Sequence, residues 1–122
     1  MKELALIFAG GGLGSIVRFL LGRWITGLHQ INFPFGTLVV NIVACFILGF
    51  IVGLADHKQV MSADMRVFWA IGFCGGFSTF STFSYETLQL FQQPAVGSGL
   101  LYVVASVALC VGATLLGIVV GR

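Results

Sequence analysis

The sequence predicts an all-α integral membrane protein with four transmembrane helices. Of its 122 residues, 58% are hydrophobic and only 8% are charged, and the mean hydropathy is +1.07. A soluble domain of this size carries about a quarter charged residues. A spanning helix takes about 20 mostly apolar residues, so four spans use most of the chain and leave only short loops.

Composition also excludes several classes of function. The net charge of +2 comes without a basic cluster, so we expect no nucleic-acid partner. Cys45, Cys74 and Cys110 are isolated in apolar stretches without a CxxC pair, which argues against a disulfide framework and a zinc site and favours small core hydrophobes. The glycine-rich stretch 10–14 lacks the Lys-Ser/Thr of a phosphate-binding loop. No nucleophile constellation is present and no room remains for a soluble catalytic domain, so we expect no enzyme.

Polar breaks divide the chain into spans at about residues 4–28, 35–55, 64–92 and 96–120, which we interpret as one domain over 1–122. Asn32 is suited to cap the second helix, and Ser62 to begin the third. Small residues recur at intervals that let membrane helices approach closely, either within one chain or between chains. They are Gly49 with Gly53, Ala105 with Ala108 and Gly112, and Gly117 with Gly121.

The loop charges specify orientation only weakly. With a cytoplasmic N-terminus, Lys2, Lys58, Arg66 and Arg122 lie inside and Arg23 outside, which favours that orientation under the positive-inside rule. The bias depends on very few charges.

Polar residues inside the first, second and fourth spans are candidates for function. Arg18 lies about 14 residues into the first span; it either snorkels to the far interface or attracts anions in a water-filled vestibule. Asn41 either joins two helices or donates its amide to an anion. Tyr102 and Ser106, one turn apart, form a short polar track.

The third span carries the clearest signal. Its middle reads Gly75-Gly76-Phe77-Ser78-Thr79-Phe80-Ser81-Thr82-Phe83-Ser84. Glycine is costly in a helix interior, and Ser and Thr compete for backbone hydrogen bonds. We therefore expect a break near residues 75–79, where freed carbonyls can bind a cation, as in the broken helices of transporters. A continuous helix with glycine packing is the alternative.

Aromatic and hydroxyl side chains alternate beyond the expected break. Phe80 and Phe83 share one helix face, while Thr79, Thr82 and Glu86 share a neighbouring polar face. Aromatic stripes usually fill a core. This stripe is interleaved with hydroxyls rather than with Leu or Val, which favours a functional role.

Three stretches resemble the Fluc (CrcB) fluoride channel family, and the likeness covers the whole chain. They are Gly10-Gly11-Gly12-Leu13-Gly14-Ser15-Ile16-Val17-Arg18-Phe19, Phe33-Pro34-Phe35-Gly36-Thr37-Leu38-Val39-Val40-Asn41, and Gly72-Phe73-Cys74-Gly75-Gly76-Phe77-Ser78-Thr79-Phe80-Ser81-Thr82-Phe83-Ser84-Tyr85-Glu86. The third is the most specific. Cys110 departs from the family pattern, since a hydroxyl is expected there.

The resemblance implies a dual-topology, antiparallel homodimer in the cell membrane (plasma or inner) that exports fluoride passively from the cytoplasm through two pores. It implies a structural Na⁺ at the dimer centre, held by the backbone carbonyls of Gly75 and Ser78. It also implies a role for each of the following residues: Phe80 and Phe83 as pore lining; Asn41, Ser81, Thr82, Tyr102 and Ser106 as donors to the anion; and Arg18 in attracting anions to the vestibule.

Two other functions are compatible with four short spans. A proton-coupled exporter of the small multidrug type needs a deeply buried carboxylate, whereas Glu86, near the end of its span, is the sole acid within any span beyond the boundary residue Asp64. A non-transporting membrane assembly subunit agrees with the composition but leaves the run of hydroxyls and aromatics unexplained.

Overall fold

The computed structural model describes residues 1–28, 33–58, 61–94 and 96–122, and this part of the chain is helical without strands. Helix α1 is Lys2–Thr26, and α2 is Phe35–Gly53, extended by a π-helical turn at Leu54–Lys58. Helix α3 is continuous through Ala63–Arg66, the π-helical stretch Val67–Phe73 and Cys74–Phe77. Helix α4 is Phe80–Phe91, and α5 is Gly97–Gly121. The all-α fold class is confirmed.

Helix ends agree with some of the local signals. The Ser62 hydroxyl accepts the N–H of Met65 at 3.2 Å, so Ser62 caps α3 as expected. Asn32, expected to cap α2, lies outside the described residues.

Within the described chain, three helical segments are long and apolar enough to cross a membrane: Lys2–Thr26, Phe35–Asp56 and Gly97–Gly121. The expected third span is divided between α3 and α4, so neither helix reaches that length alone. Large apolar side chains face outward, including Phe8 at 84% exposure. So much exposed apolar surface is typical of a membrane protein.

Glycines bring α1 and α3 into backbone contact. A Cβ atom at Gly14 would collide with the carbonyl oxygen of Phe73, and one at Gly76 with the carbonyl oxygen of Gly11. The glycine-rich stretch of α1 is therefore a packing surface for α3.

Helices α2 and α5 lie side by side and run in the same direction. Gly49 meets the backbone of Thr114 and Gly53 meets that of Ile118, so contacts recur at a constant spacing of 65 residues. Gly117, which lies on α5, packs in turn against the backbone of α2 at Phe46 and Phe50. The two glycine pairs thus pack within the chain, whereas a Cβ at Gly112 would meet no atom.

The main core lies between α2 and α3. Its buried members are Val40, Ala44, Ile51, Phe73, Cys74 and Phe77. A smaller cluster of Leu38, Leu90 and Tyr102 joins α2, α4 and α5. These two cores position the end of α3 and the start of α4.

Candidate functional site

The third span is interrupted at Ser78 and Thr79. Both residues are extended, with φ −83° and ψ 158° at Ser78 and φ −151° and ψ 120° at Thr79. The break falls within the expected range 75–79. Ser78 closes the end of α3, since its N–H and its hydroxyl both donate to the Cys74 carbonyl, at 3.0 and 2.8 Å.

Asn41 replaces a missing helical partner at the break. Its Oδ1 accepts the N–H of Thr79 at 3.0 Å, and its Nδ2 donates to the Thr79 carbonyl at 3.3 Å. A carboxamide can satisfy a peptide group in both directions in this way. The structure therefore gives Asn41 a role in joining α2 to the break, while its donation to an anion remains a prediction.

Arg18 turns toward the break. Its Nε donates to the carbonyl oxygen of Gly76 at 3.1 Å, and the hydroxyl of Ser15 lies 3.4 Å from the same oxygen. In an unbroken helix that carbonyl would accept the N–H of Phe80. A guanidinium is favourable there, because the C-terminal end of a helix carries partial negative charge. Arg18 is half-buried, and its attraction of anions remains a prediction.

The carbonyls of Gly75 and Ser78 lose their usual helical donors. The N–H of Thr79 donates to Asn41 instead of Gly75, and the N–H of Thr82 donates to the Thr79 hydroxyl at 3.2 Å instead of Ser78. Gly75 is exposed, and a Cβ atom placed at this residue would have no neighbouring atom within 4 Å. In the described residues no group of three or more His, Cys, Asp or Glu is placed to hold a metal, so a cation here would depend on carbonyl oxygens.

Hydroxyls cluster at the start of α4. The Thr79 hydroxyl lies 3.2 Å from that of Ser81 and donates to that of Thr82, also at 3.2 Å. The N-terminal end of a helix carries partial positive charge and N–H groups without intrahelical partners. The break thus leaves two helix ends with two residues between them. The C-terminal end of α3 suits a cation, and the N-terminal end of α4 suits an anion.

Phe80 and Phe83 differ in their surroundings. Phe80 is 77% exposed, whereas Phe83 is half-buried. Their ring centroids are 5.5 Å apart, and Phe83 lies 5.1 Å from the ring of Tyr102. Phe83 therefore partly fills the core of its own chain, whereas Phe80 does not.

Tyr102 and Ser106 occupy the inner face of α5. Tyr102 is fully buried, and its hydroxyl donates to the Glu86 carboxylate at 3.1 Å. Ser106 is 7% exposed, and its hydroxyl has no hydrogen-bond partner in the described structure. Glu86, left without a role by sequence reasoning, is therefore the acceptor for Tyr102.

Two of the cavities beside the break bring together most of the candidate residues. The smaller, of about 270 Å³, has an uncharged lining formed by Asn41, Cys45, Ser78, Thr79, Phe80, Phe83, Ser106, Val107 and Cys110. The larger, of about 550 Å³, includes Arg18, Arg23, Thr37, Thr79, Thr82 and Glu86. Ser81 and Tyr102 belong to neither of these two linings, but each contacts a lining residue, Thr79 and Glu86 respectively.

Sequence reasoning missed Ser15 and Thr37. Ser15 lies three residues before Arg18 and Thr37 four residues before Asn41, so each shares a helix face with a residue already singled out. That spacing was the available signal for both.

These features define a helical membrane protein with an uncharged, donor-lined cavity at a helix break. A family model described as CrcB-like protein, Camphor Resistance (CrcB), matches residues 5–118, and the chain belongs to this family. Proteins named fluoride-specific ion channel FluC from Agrobacterium fabrum and Rhizobium meliloti are each 41% identical to it over 122 residues, covering 100% of this chain and 98% of theirs. The protein of that name from Phocaeicola vulgatus is 44% identical over 118 residues, covering 97% of both chains.

Proposed function

We propose that this protein is a fluoride-selective ion channel that exports fluoride passively from the cytoplasm. The structural observation that carries the proposal is the smaller cavity, which joins Asn41, Phe80, Phe83 and Ser106 in an uncharged lining. Fluoride as the permeant ion is inferred from the names of the relatives, whose matches cover 97% or more of this chain.

The chemistry of this lining suits a small anion. Amide and hydroxyl groups donate hydrogen bonds, and the edge of an aromatic ring carries partial positive charge. Together they replace part of the hydration shell of an anion, as carbonyls do for cations in other filters. The unpartnered hydroxyl of Ser106 is available for such a bond. Among the described residues, no carboxylate lines this cavity to repel the ion.

The larger cavity serves as the vestibule in this proposal. Arg18 and Arg23 both line it, together with Glu86. Two cations in a partly enclosed space raise the local concentration of anions, since low-dielectric walls focus the field. The bond from Tyr102 occupies part of the acceptor capacity of Glu86.

The active unit in this proposal is an antiparallel homodimer with two pores and a structural sodium ion at its centre. In this proposal the second copy packs near Phe80, whose ring its own chain leaves uncovered. Gly75 and Ser78 supply two carbonyls without their helical donors, and a second copy doubles that number. Unwound backbone carbonyls of this kind coordinate Na⁺ in transporters.

Purified protein in liposomes loaded with potassium fluoride tests the function. We expect rapid fluoride efflux once a potassium ionophore removes the opposing voltage, with chloride efflux far slower. Efflux driven by a proton gradient and independent of the ionophore would favour the proton-coupled exporter. Absence of fluoride efflux from folded protein would contradict the channel and favour the non-transporting subunit.

Labelling of a cysteine added at the C-terminus tests dual topology, in a variant with Cys45, Cys74 and Cys110 replaced. We expect similar amounts of the C-terminus on both sides of the membrane. Two lysines added to one loop should impose one orientation and abolish flux, and co-expression of the oppositely biased variant should restore it. A uniform orientation of the unbiased variant would contradict the antiparallel dimer.

Exhaustive replacement of sodium by a larger organic cation tests the proposed ion. We expect a weaker dimer or lower flux with unchanged anion selectivity. Ser78→Ala should have little effect, because the proposed ligand is the backbone carbonyl. Full dimer stability and flux without sodium would contradict the carbonyl site.

A further inference from the structure

Two of the three cysteines meet across the α2–α5 contact. The 65-residue spacing that pairs Gly49 with Thr114 also places Cys45 opposite Cys110, one helical turn earlier on both helices. Both cysteines line the smaller cavity, and their side chains interact with each other. Residues isolated in the sequence are thus paired in the fold.

The paired thiols lie where the cavity closes. The same spacing places Asn41 opposite Ser106 one further turn away, and these two residues line the cavity as well. In the other direction the Gly49 backbone packs directly against Thr114 and leaves no space between the helices. The polar lining on α2 and α5 therefore ends at two facing sulfur atoms, beside a buried hydroxyl without a partner, that of Ser106.

A pair of facing thiols has a specific metal preference. Thiolates are soft ligands and select soft cations over Mg²⁺, Ca²⁺ or Na⁺. Hg²⁺, Ag⁺ and Cu⁺ accept two thiolates in a line, whereas a structural zinc site needs four ligands. In the described residues no third His, Cys, Asp or Glu completes a larger cluster, so the pair suits two-coordinate ions.

We propose that Cys45 and Cys110 form a two-coordinate binding site for a soft, thiophilic metal ion at the closed end of the cavity. With mercuric chloride, which enters apolar regions as a neutral molecule, each thiol loses its proton and forms one S–Hg bond. Two chloride ions and two protons leave. The bridge inserts a heavy atom between residues that line the proposed ion path, so its binding also blocks fluoride; this second statement rests on the proposed function.

Intact-mass measurement under non-denaturing conditions tests the site itself. One equivalent of mercuric chloride should add one Hg per chain and remove two hydrogens, because a bridged ion keeps no chloride. Cys74→Ala should retain this product. Cys110→Ser should lose it and show at most a single-thiol adduct that keeps its chloride.

Cys74 is the informative control, because it lies with Cys45 around a third, small cavity of about 160 Å³. A bridge that persists in Cys110→Ser and disappears in Cys74→Ala would overturn the assigned pair. Chloride retention in the unmodified protein would overturn bridging altogether.

Fluoride efflux from liposomes tests the block, with each variant compared with its own untreated rate. Mercuric chloride should reduce the efflux of Cys74→Ala at least tenfold, excess dithiol should restore it, and Cys110→Ser should be resistant. A bridged product with unchanged efflux would overturn the block but leave the site. A bridged product in a preparation that never conducts fluoride would contradict the proposed function alone.

Discussion

The two halves of the third span have nearly opposite surroundings. The end of helix α3 packs closely against the rest of the chain: Phe73 and Phe77 are buried, and Gly72 and Gly76 contact the backbone of α1. Helix α4 begins after two intervening residues, and it exposes Phe80 and several further side chains. Gly72 and Gly76 of α3 serve close packing, whereas the aromatics and hydroxyls of α4 face cavities and the outer surface. Close packing and the proposed ion contact thus fall in different halves of one span.

The largest effect is expected from disturbing the closely packed half. A methyl group at Gly14 collides with the Phe73 carbonyl, and backbone atoms cannot move aside as a flexible side chain does. Overpacking usually costs about 1–3 kcal/mol, and we expect Gly14→Ala to reach the upper end of that range. Unfolding by denaturing detergent measures it.

Gly12→Ala is the matched control on the same helix. A Cβ at Gly12 meets no atom, and alanine favours a helix over glycine by about 1 kcal/mol. We expect unchanged or slightly higher stability. Equal destabilisation by both substitutions would contradict the assignment of α1 and α3 to close packing.

A smaller but still large effect is expected where the two halves join. Asn41→Leu removes both hydrogen bonds to Thr79, and an unsatisfied buried polar group costs about 1–3 kcal/mol. We expect lower stability and loss of fluoride flux. Ser106→Ala, in the same cavity, removes a hydroxyl that has no protein partner, so its stability should not fall. A stable, conducting Asn41→Leu would show that the break does not need this residue.

The smallest effect is expected at the outer end of the α1–α3 contact. Lys2 and Asp64 form an ion pair at 2.8 Å, with side chains 72% and 48% exposed. Solvent screens exposed pairs of this kind, and they contribute little to stability, so Lys2→Ala should shift the unfolding midpoint little. A loss comparable to that of Gly14→Ala would mean that charge, rather than glycine packing, holds α1 against α3.

Local sequence patterns predicted the helices and the break, because glycine and hydroxyl residues weaken the helical backbone at their own positions. The pairings that complete the site were not predictable from such patterns. The bond from Arg18 to Gly76 joins residues 58 positions apart, and the contact of Cys45 with Cys110 depends on the register of α2 against α5. Glycine contacts set that register after the helices pack, and no local signal specifies which residues then face each other.

In the proposed channel the exposed aromatic half of the third span contacts the passing ion, and the fluoride flux of the Phe80→Ile variant decides whether it does. A purely space-filling ring tolerates a change of this kind at a cost under about 1.5 kcal/mol. If the ring contacts fluoride, loss of about 3 kcal/mol at the barrier slows passage about a hundredfold. Phe83→Ile provides the comparison at the half-buried position. We predict that Phe80→Ile remains folded and assembled while its fluoride efflux falls sharply; normal efflux from the same preparation would show that the Phe80 ring does not contact the ion.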